Sequence, residues 1–196
     1  MEGSKYQEVE AKYQLLNMEE VIQRIEELHL SLYCCEYQKD TYYNSPFRNF
    51  LAEDIVSEWF RVRETKNSAS LNYKLWLPVG AKIQNQCKEY ESEIEDVYAV
   101  RQILSCLSFS EIACVEKRRR TWKYKNMEIS IDEVKKLGAF IEIEYCEEVP
   151  EEKIPEVNLL FEQILCDLNA EVKERDRRGY AYTLIYERKK ENDQCY

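Results

Sequence analysis

The chain has 196 residues, 44% hydrophobic and 34% charged, with only four glycines and four prolines. That is enough apolar material for one packed domain and too little linker-type sequence for a string of them. A formal net charge of −10 argues against general nucleic-acid binding, and no apolar run approaches the roughly 18 residues a membrane span needs. The N-terminus is polar and lacks a signal-peptide pattern, so the expected location is cytoplasmic.

The first predicted strand contains Glu8-Val9-Glu10-Ala11-Lys12. Its period of two puts Glu8, Glu10 and Lys12 on one face, with Val9, Ala11 and Tyr13 on the other. Asn17, with Glu20 three residues on, reads as a helix cap. Val21, Ile22, Ile25 and Leu28 then follow at helical spacing, so a helix is expected over Met18 to Leu30. Tyrosine-rich Tyr33 to Asn44 is the second strand. Glu58 to Glu64 and Leu71 to Leu77 are the next two, joined by the turn-prone Lys66-Asn67-Ser68. Cys87 to Glu95 is a fifth strand, with Glu91, Glu93 and Glu95 on one face. Asp96 caps a helix whose apolar side carries Val97, Val100, Ile103, Leu104 and Leu107. Ile112 to Lys123 and Met127 to Ile131 form a hairpin through Lys125-Asn126, and Leu137 to Glu147 is the eighth strand. Ile154, Val157, Phe161, Ile164, Leu165 and Leu168 mark a helix, and Tyr182, Ile185 and Tyr186 a final, shorter one.

Eight cysteines invite a metal or disulfide reading, but they are scattered and form no C-x-x-C pair. They are expected to be reduced thiols, mostly packed as small hydrophobes. His29 is the only histidine and lies in a predicted helix, which makes a histidine-based nucleophilic triad improbable and a structural role the better reading.

The alternation extends to every strand. Arg61 and Arg63 share a face, as do Asn72 and Lys74, Lys117 and Arg119, Glu142 and Glu144, and Glu128, Ser130 and Asp132. A wet sheet face is the ordinary explanation for one such strand. Across the set, however, the charges are segregated into acidic and basic strands rather than interspersed. The amphipathic helices also need the strands' apolar faces as their cover. With the helices outside, the charged faces turn inward, and an antiparallel barrel of eight strands has room for one small ligand. The expected fold class is therefore α+β: a closed eight-stranded antiparallel β-barrel with helices packed on the outside. Cations at such density call for an anionic ligand, and guanidinium groups suit phosphate oxygens. Paired carboxylates suit Mg²⁺ or Mn²⁺, which commonly bridge protein and phosphate.

In this order and spacing the residues resemble the CYTH, or triphosphate tunnel metalloenzyme, superfamily. Glu8-Val9-Glu10-Ala11-Lys12 is similar to its ExExK signature. The likeness continues through Gln38-Lys39-Asp40-Thr41-Tyr42-Tyr43, Arg61-Val62-Arg63, Tyr73-Lys74, Glu91 to Asp96, Lys117-Arg118-Arg119 and Leu137 to Glu144. It is greatest to the class IV adenylyl cyclase branch. The resemblance implies one domain over residues 1–196, with barrel strands at about 5–147 and C-terminal helices at about 150–190. It implies a triphosphate gripped by Lys12, Arg61, Arg63, Lys74, Lys117 and Arg119. Metals would be served by Glu8, Glu10, Glu142 and Glu144, with Glu91, Glu93 and Asp132 as further candidates. Glu8, Glu10 and Glu142 are the candidates for accepting the nucleophile's proton. Arg118 and Arg120 point the other way, as surface charges or salt-bridge partners.

Some class IV cyclases have a His-Phe-Asp run where this chain has Gln38-Lys39-Asp40, a departure at the nucleoside end of the site. Lys189 and Lys190 are read as a solvated basic tail. The expected activity is cyclisation of ATP to cyclic AMP and pyrophosphate with Mg²⁺ or Mn²⁺. The alternative is hydrolysis of tripolyphosphate or thiamine triphosphate, and a third reading is a non-catalytic polyphosphate or nucleotide binder. The partner is a triphosphate small molecule, with no nucleic acid or membrane; the oligomeric state is open, a homodimer included.

Overall fold

The computed structural model describes residues 6–80, 86–176 and 178–193, with the side chains of 6–8, 86, 148, 151 and 187–193 outside the description. Nine strands and four α-helices alternate as β1 (Tyr6–Leu15), α1 (Met18–Glu27), β2 (Leu32–Asn44), β3 (Glu58–Glu64), β4 (Ala69–Leu77), β5 (Gln86–Glu93), α2 (Val97–Cys106), β6 (Ser110–Tyr124), β7 (Met127–Val134), β8 (Gly138–Pro150), α3 (Ile154–Asp167), β9 (Val172–Arg175) and α4 (Tyr180–Asp193). The α+β class and all eight expected strands are present. β9 is an addition that the sequence patterns did not indicate, and α4 equals α3 in length instead of being shorter. Among the described residues, no helix is long and apolar enough to cross a membrane.

The strands hydrogen-bond in the order β5-β4-β3-β2-β6-β7-β8-β1-β9. This order has two ends, so the expected barrel is not closed by hydrogen bonds among the described residues. At one end, β9 pairs with the second edge of β1 at Tyr13 and Leu15, opposite Arg175 and Val172.

The chain divides into two compact units, Met1–Glu36 with Lys117–Arg177, and Tyr37–Glu116 with Arg178–Tyr196. In the first, Val9, Ala11, Ile129, Ile131, Ile141 and Ile143 present one apolar sheet face. Val21, Ile22 and Ile25 of α1 cover it together with Val157, Phe161, Ile164 and Leu165 of α3. Alternation therefore commits the opposite face of β1, β7 and β8 to the polar residues. The second unit repeats the arrangement on a smaller scale. Tyr43, Val62, Phe60 and Leu71 of its strands pack with Leu104, Val97 and Val100 of α2. Helices thus lie on the apolar faces in both units, which is the feature that set the charged faces apart in the sequence.

Local signals were met unevenly. Asp96 caps α2 as expected, accepting from the Ala99 amide at 2.9 Å, and Tyr124 pairs with Met127 across the Lys125-Asn126 turn. Asn17 stands at the expected N-cap position of α1, but its side chain makes no capping bond. Its side chain donates to Glu20 at 2.8 Å and to the Asn169 carbonyl at 2.9 Å, and accepts from the Glu171 amide at 2.8 Å. It ties the segment leading into β9 to the entrance of α1, a distant partner outcompeting the local one. The seven described cysteines have free thiols, but Cys35, Cys106, Cys114, Cys146 and Cys166 are exposed instead of packed as small hydrophobes. They occupy strand and helix positions facing away from the cores, which alternation assigns without regard to thiol preference. His29 follows α1 with φ 55°, donating its amide to the Glu26 carbonyl: a helix-ending position and a structural one.

Candidate active site

In the first unit, β-sheet register assembles the polar face row by row. Arg119 lies opposite Asp132 on β7. One row along, Thr121, Ser130, Glu142 and Lys12 stand side by side across β6, β7, β8 and β1. The following row is Lys123, Glu128, Glu144 and Glu10. Residues far apart in the chain become direct neighbours because four antiparallel strands keep the same period.

The first two rows, with Lys117 opposite Val134 one row before them, form a continuous ionic network. Asp132, fully buried, accepts Nε and Nη2 of Arg119 at 2.7 Å each and Nζ of Lys117 at 2.8 Å. Arg119 Nη2 also donates to Glu142 at 2.8 Å, and Lys12 Nζ lies 2.9 Å from the other Glu142 oxygen. Thr121 and Ser130 share a hydroxyl hydrogen bond at 2.8 Å beside them. Of the expected site residues, Lys12, Lys117, Arg119, Asp132 and Glu142 are therefore gathered on one face. Arg118 is exposed, and Arg120 pairs with Glu133 at 3.0 Å, as expected for the opposite face.

Burial alone would raise the carboxyls of Glu142 and Asp132. Arg119, Lys12 and Lys117 overcome it at Glu142, and Lys117 and Arg119 at Asp132, holding both below their ordinary values. Burial would lower the Lys12 ammonium, but Glu142 and Glu10 raise it above the usual lysine range. A depressed carboxylate stabilises the fold above its unfolded value, about 3.9 for Asp and 4.3 for Glu, and loses that contribution as pH falls through the folded value. The Lys12 contribution is lost only as pH rises through its raised value. Urea denaturation is thus expected to show no loss from this network between pH 7 and about 5, and a progressive loss below about pH 4. A steep loss between pH 7 and 5 would contradict the network.

The third row has a different character. Glu144 faces Glu10 on one side and Glu128 on the other, and like charges side by side in a sheet repel. Lys123 stands beside this row, 3.7 Å from Glu128. Oxygen-only donors on adjacent strands match the preference of a hard divalent cation. Among the described residues no three acidic side chains already close into a cation cage. The Glu8 side chain lies outside the description.

In the second unit, Asp40, Tyr42 and Thr41 on β2 are buried. Arg63 lies opposite Asp40, and Arg61 opposite Tyr42. Asp40 accepts from Arg63 at 2.7 Å through both oxygens and from Arg61 at 3.2 Å. Burial would lower the Arg61 guanidinium, but Tyr42 and Asp40 raise it. Lys74 pairs with Glu89 at 2.7 Å, and Asn72 donates to Glu89 at 2.5 Å. Burial would raise the Glu89 carboxyl; Lys74 and Asn72 bring it below its ordinary value. Glu91 and Glu93 are exposed on β5, and Glu91 accepts from Ser70 at 2.6 Å.

Sequence reasoning overlooked Asp40, Glu89 and Glu128 as site residues. Glu89 shares the two-residue period of Glu91 and Glu93, so its face was readable. Asp40 and Glu128 became significant only through register. The side chains of Lys189 and Lys190 lie outside the description.

The CYTH domain family matches residues 6–180 of this chain. Over 137 residues the chain is 33% identical to a Methanocaldococcus jannaschii protein whose name proposes an adenylate cyclase; the match covers 70% of this chain and 75% of that one. A solved structure from Pyrococcus horikoshii is similar at 32% identity and a TM-score of 0.75, covering 92% of this chain and 99% of its own. A Hippeastrum protein, proposed as an adenylyl cyclase and described as having a dominant triphosphatase activity, shares the fold at 15% identity. Its TM-score is 0.61, with 92% of this chain and 95% of that one covered.

Proposed function

This chain belongs to the CYTH domain family, and from that premise we propose that it is a divalent-metal-dependent enzyme acting on a triphosphate, with cyclisation of ATP as its leading reaction. One observation carries the reading: Lys12, Lys117 and Arg119 share a buried polar face with Glu142 and Asp132, one row from the carboxylates Glu10, Glu144 and Glu128. Cations for phosphate oxygens and oxygen donors for a metal lie on one sheet surface. We read that surface as the wall of a phosphate-binding tunnel.

In this proposal Lys12, Lys117 and Arg119 neutralise and orient the phosphates, as do Arg61, Arg63 and Lys74 on their own strands. Mg²⁺ or Mn²⁺ would be held by Glu8, Glu10 and Glu144, with Glu142 alongside, and would supply charge neutralisation and a more acidic nucleophile. Glu142 is a weak base, because three cations hold its carboxyl low. Its work is to fix Lys12 and Arg119, which leaves Glu8 and Glu10 as the better candidates for accepting a proton. In the cyclase reaction the ribose 3′-hydroxyl loses its proton and attacks the α-phosphorus, and pyrophosphate leaves. The Methanocaldococcus relative's name favours this reaction.

The second reading is hydrolysis of tripolyphosphate or thiamine triphosphate, in which water attacks the terminal phosphorus and orthophosphate leaves. The Hippeastrum protein, of the same fold, is described as having a dominant triphosphatase activity, and the network described above would grip phosphate without specifying what is attached to it. The test is incubation of the protein with ATP, tripolyphosphate or thiamine triphosphate and each metal, with products identified by phosphorus NMR. Cyclic AMP with equimolar pyrophosphate is expected from ATP. Orthophosphate without cyclic AMP would replace the first reading by the second, and no turnover of any of them would defeat both.

A further inference from the structure

Asp40 takes no part in the chemistry proposed above, yet it is 2% exposed and held between two arginines. Its Oδ1 accepts Nε of Arg63 and its Oδ2 accepts Nη2 of Arg63, both at 2.7 Å, while Nη1 of Arg61 reaches Oδ2 at 3.2 Å. The same arrangement occurs in the other unit. Buried Asp132 on β7 receives Lys117 and Arg119, again two residues apart on one neighbouring strand. In each unit a cation-x-cation pair is joined by a single carboxylate from the adjacent strand.

The exposures indicate what the device is for. The Asp40 side chain is 3% exposed, against 14% for Arg61 and 21% for Arg63. The anion is the most hidden of the three side chains, and Nε of Arg61 is buried with no hydrogen-bond partner among the described residues. The Nε–Nη2 edge of Arg63 is committed to Asp40, so an anion would meet Arg63 through its Nη1 side.

We propose that Asp40 is a positioning residue that holds Arg61 and Arg63 side by side to receive an anionic ligand of the polyphosphate class, as Asp132 does for Lys117 and Arg119. The choice of ligand rests on the function proposed above; the orienting role rests on the geometry alone. Without the carboxylate the two like charges repel, and each flexible side chain has to be ordered when the ligand arrives, which costs affinity. The phosphate still finds the same number of cations, but no longer prearranged ones.

The test uses the full chain, with inorganic tripolyphosphate as probe in the presence of EDTA, followed by calorimetry and by the arginine Nε–H resonances in nitrogen-15 NMR. Asp40→Asn is expected to weaken tripolyphosphate binding about tenfold or more, to raise KM more than it lowers kcat, and to abolish the slowly exchanging Arg63 Nε–H signal. Asp40→Glu should recover part of the affinity. Unchanged or tighter binding by folded Asp40→Asn overturns the proposal, because Asp40 would then be a structural ion or a competitor of the ligand. If Asp40→Asn does not fold, wild type decides. Persistence of the Arg63 Nε–H signal in the complex supports positioning, and its loss on ligand addition overturns it. A wild type that binds no tripolyphosphate either in EDTA or with added Mg²⁺ or Mn²⁺ removes the polyphosphate ligand and the proposed function with it. The Arg63 signal in Asp40→Asn then reports separately whether Asp40 orders the arginines.

Discussion

Glu142→Gln is expected to lower turnover by at least about a hundredfold on whichever triphosphate the wild type consumes. The substitution is nearly isosteric but removes the charge that Lys12 and Arg119 share, at 2.9 and 2.8 Å. Both cations then lose the anchor that aims them. Burial, which already acts to lower the Lys12 ammonium, is left opposed chiefly by Glu10, so the Lys12 pKa should fall from its raised value. Removing one partner from a buried ion pair also costs about 3–5 kcal/mol of stability. Three measurements check this: product formation, urea denaturation, and the lysine side-chain nitrogen titration. Near-wild-type turnover with an unshifted Lys12 would show that Glu142 is not the organiser of this face.

Arg119→Ala should have the largest effect on stability. Arg119 bridges both buried carboxylates, donating twice to Asp132 and once to Glu142. Its loss leaves Asp132 with Lys117 and Glu142 with Lys12 as their charged partners within this network, each pair incomplete. A cost of about 3–5 kcal/mol is expected, which for a chain of this size lowers Tm by roughly 2–4 °C per kcal/mol. The carboxyls of Asp132 and Glu142 should move up toward their ordinary values, so acid unfolding begins at higher pH. Arg119→Lys restores the charge but not the planar fork that reaches two carboxylates at once. It should recover part of the stability at neutral pH and little of the tripolyphosphate affinity. Full recovery of both by lysine would mean that charge alone, without bridging geometry, suffices.

These two residues also show how far alternation can be read. Arg119 and Glu142 were assigned to the polar face because Ile141 and Ile143 occupy the other one, and the packing of α1 and α3 on that apolar face agrees. The same reasoning placed Arg118 and Arg120 on the opposite side. It could not say that Arg119 would hold Asp132 and Glu142 together, because that depends on which residues β6, β7 and β8 set opposite one another. Asp132, read as a further metal candidate, has its oxygens occupied by Lys117 and Arg119 instead. Asn17 stands at the expected N-cap position, but its side chain makes no capping bond for a similar reason: it reaches partners near β9, more than a hundred residues away in sequence.

What composition and periodicity settled is therefore local in origin: the strand and helix types, the face on which each charge stands, and the order of cations and carboxylates that resembles the CYTH family. Side-chain direction follows from backbone geometry within a few residues, so a single sequence contains it. Strand register, the pairing of individual ions and the docking of β9 on β1 were decided by folding in three dimensions. Each is a competition between distant segments for the same edge, hydrogen bond or charge, and its outcome depends on packing that no local pattern encodes.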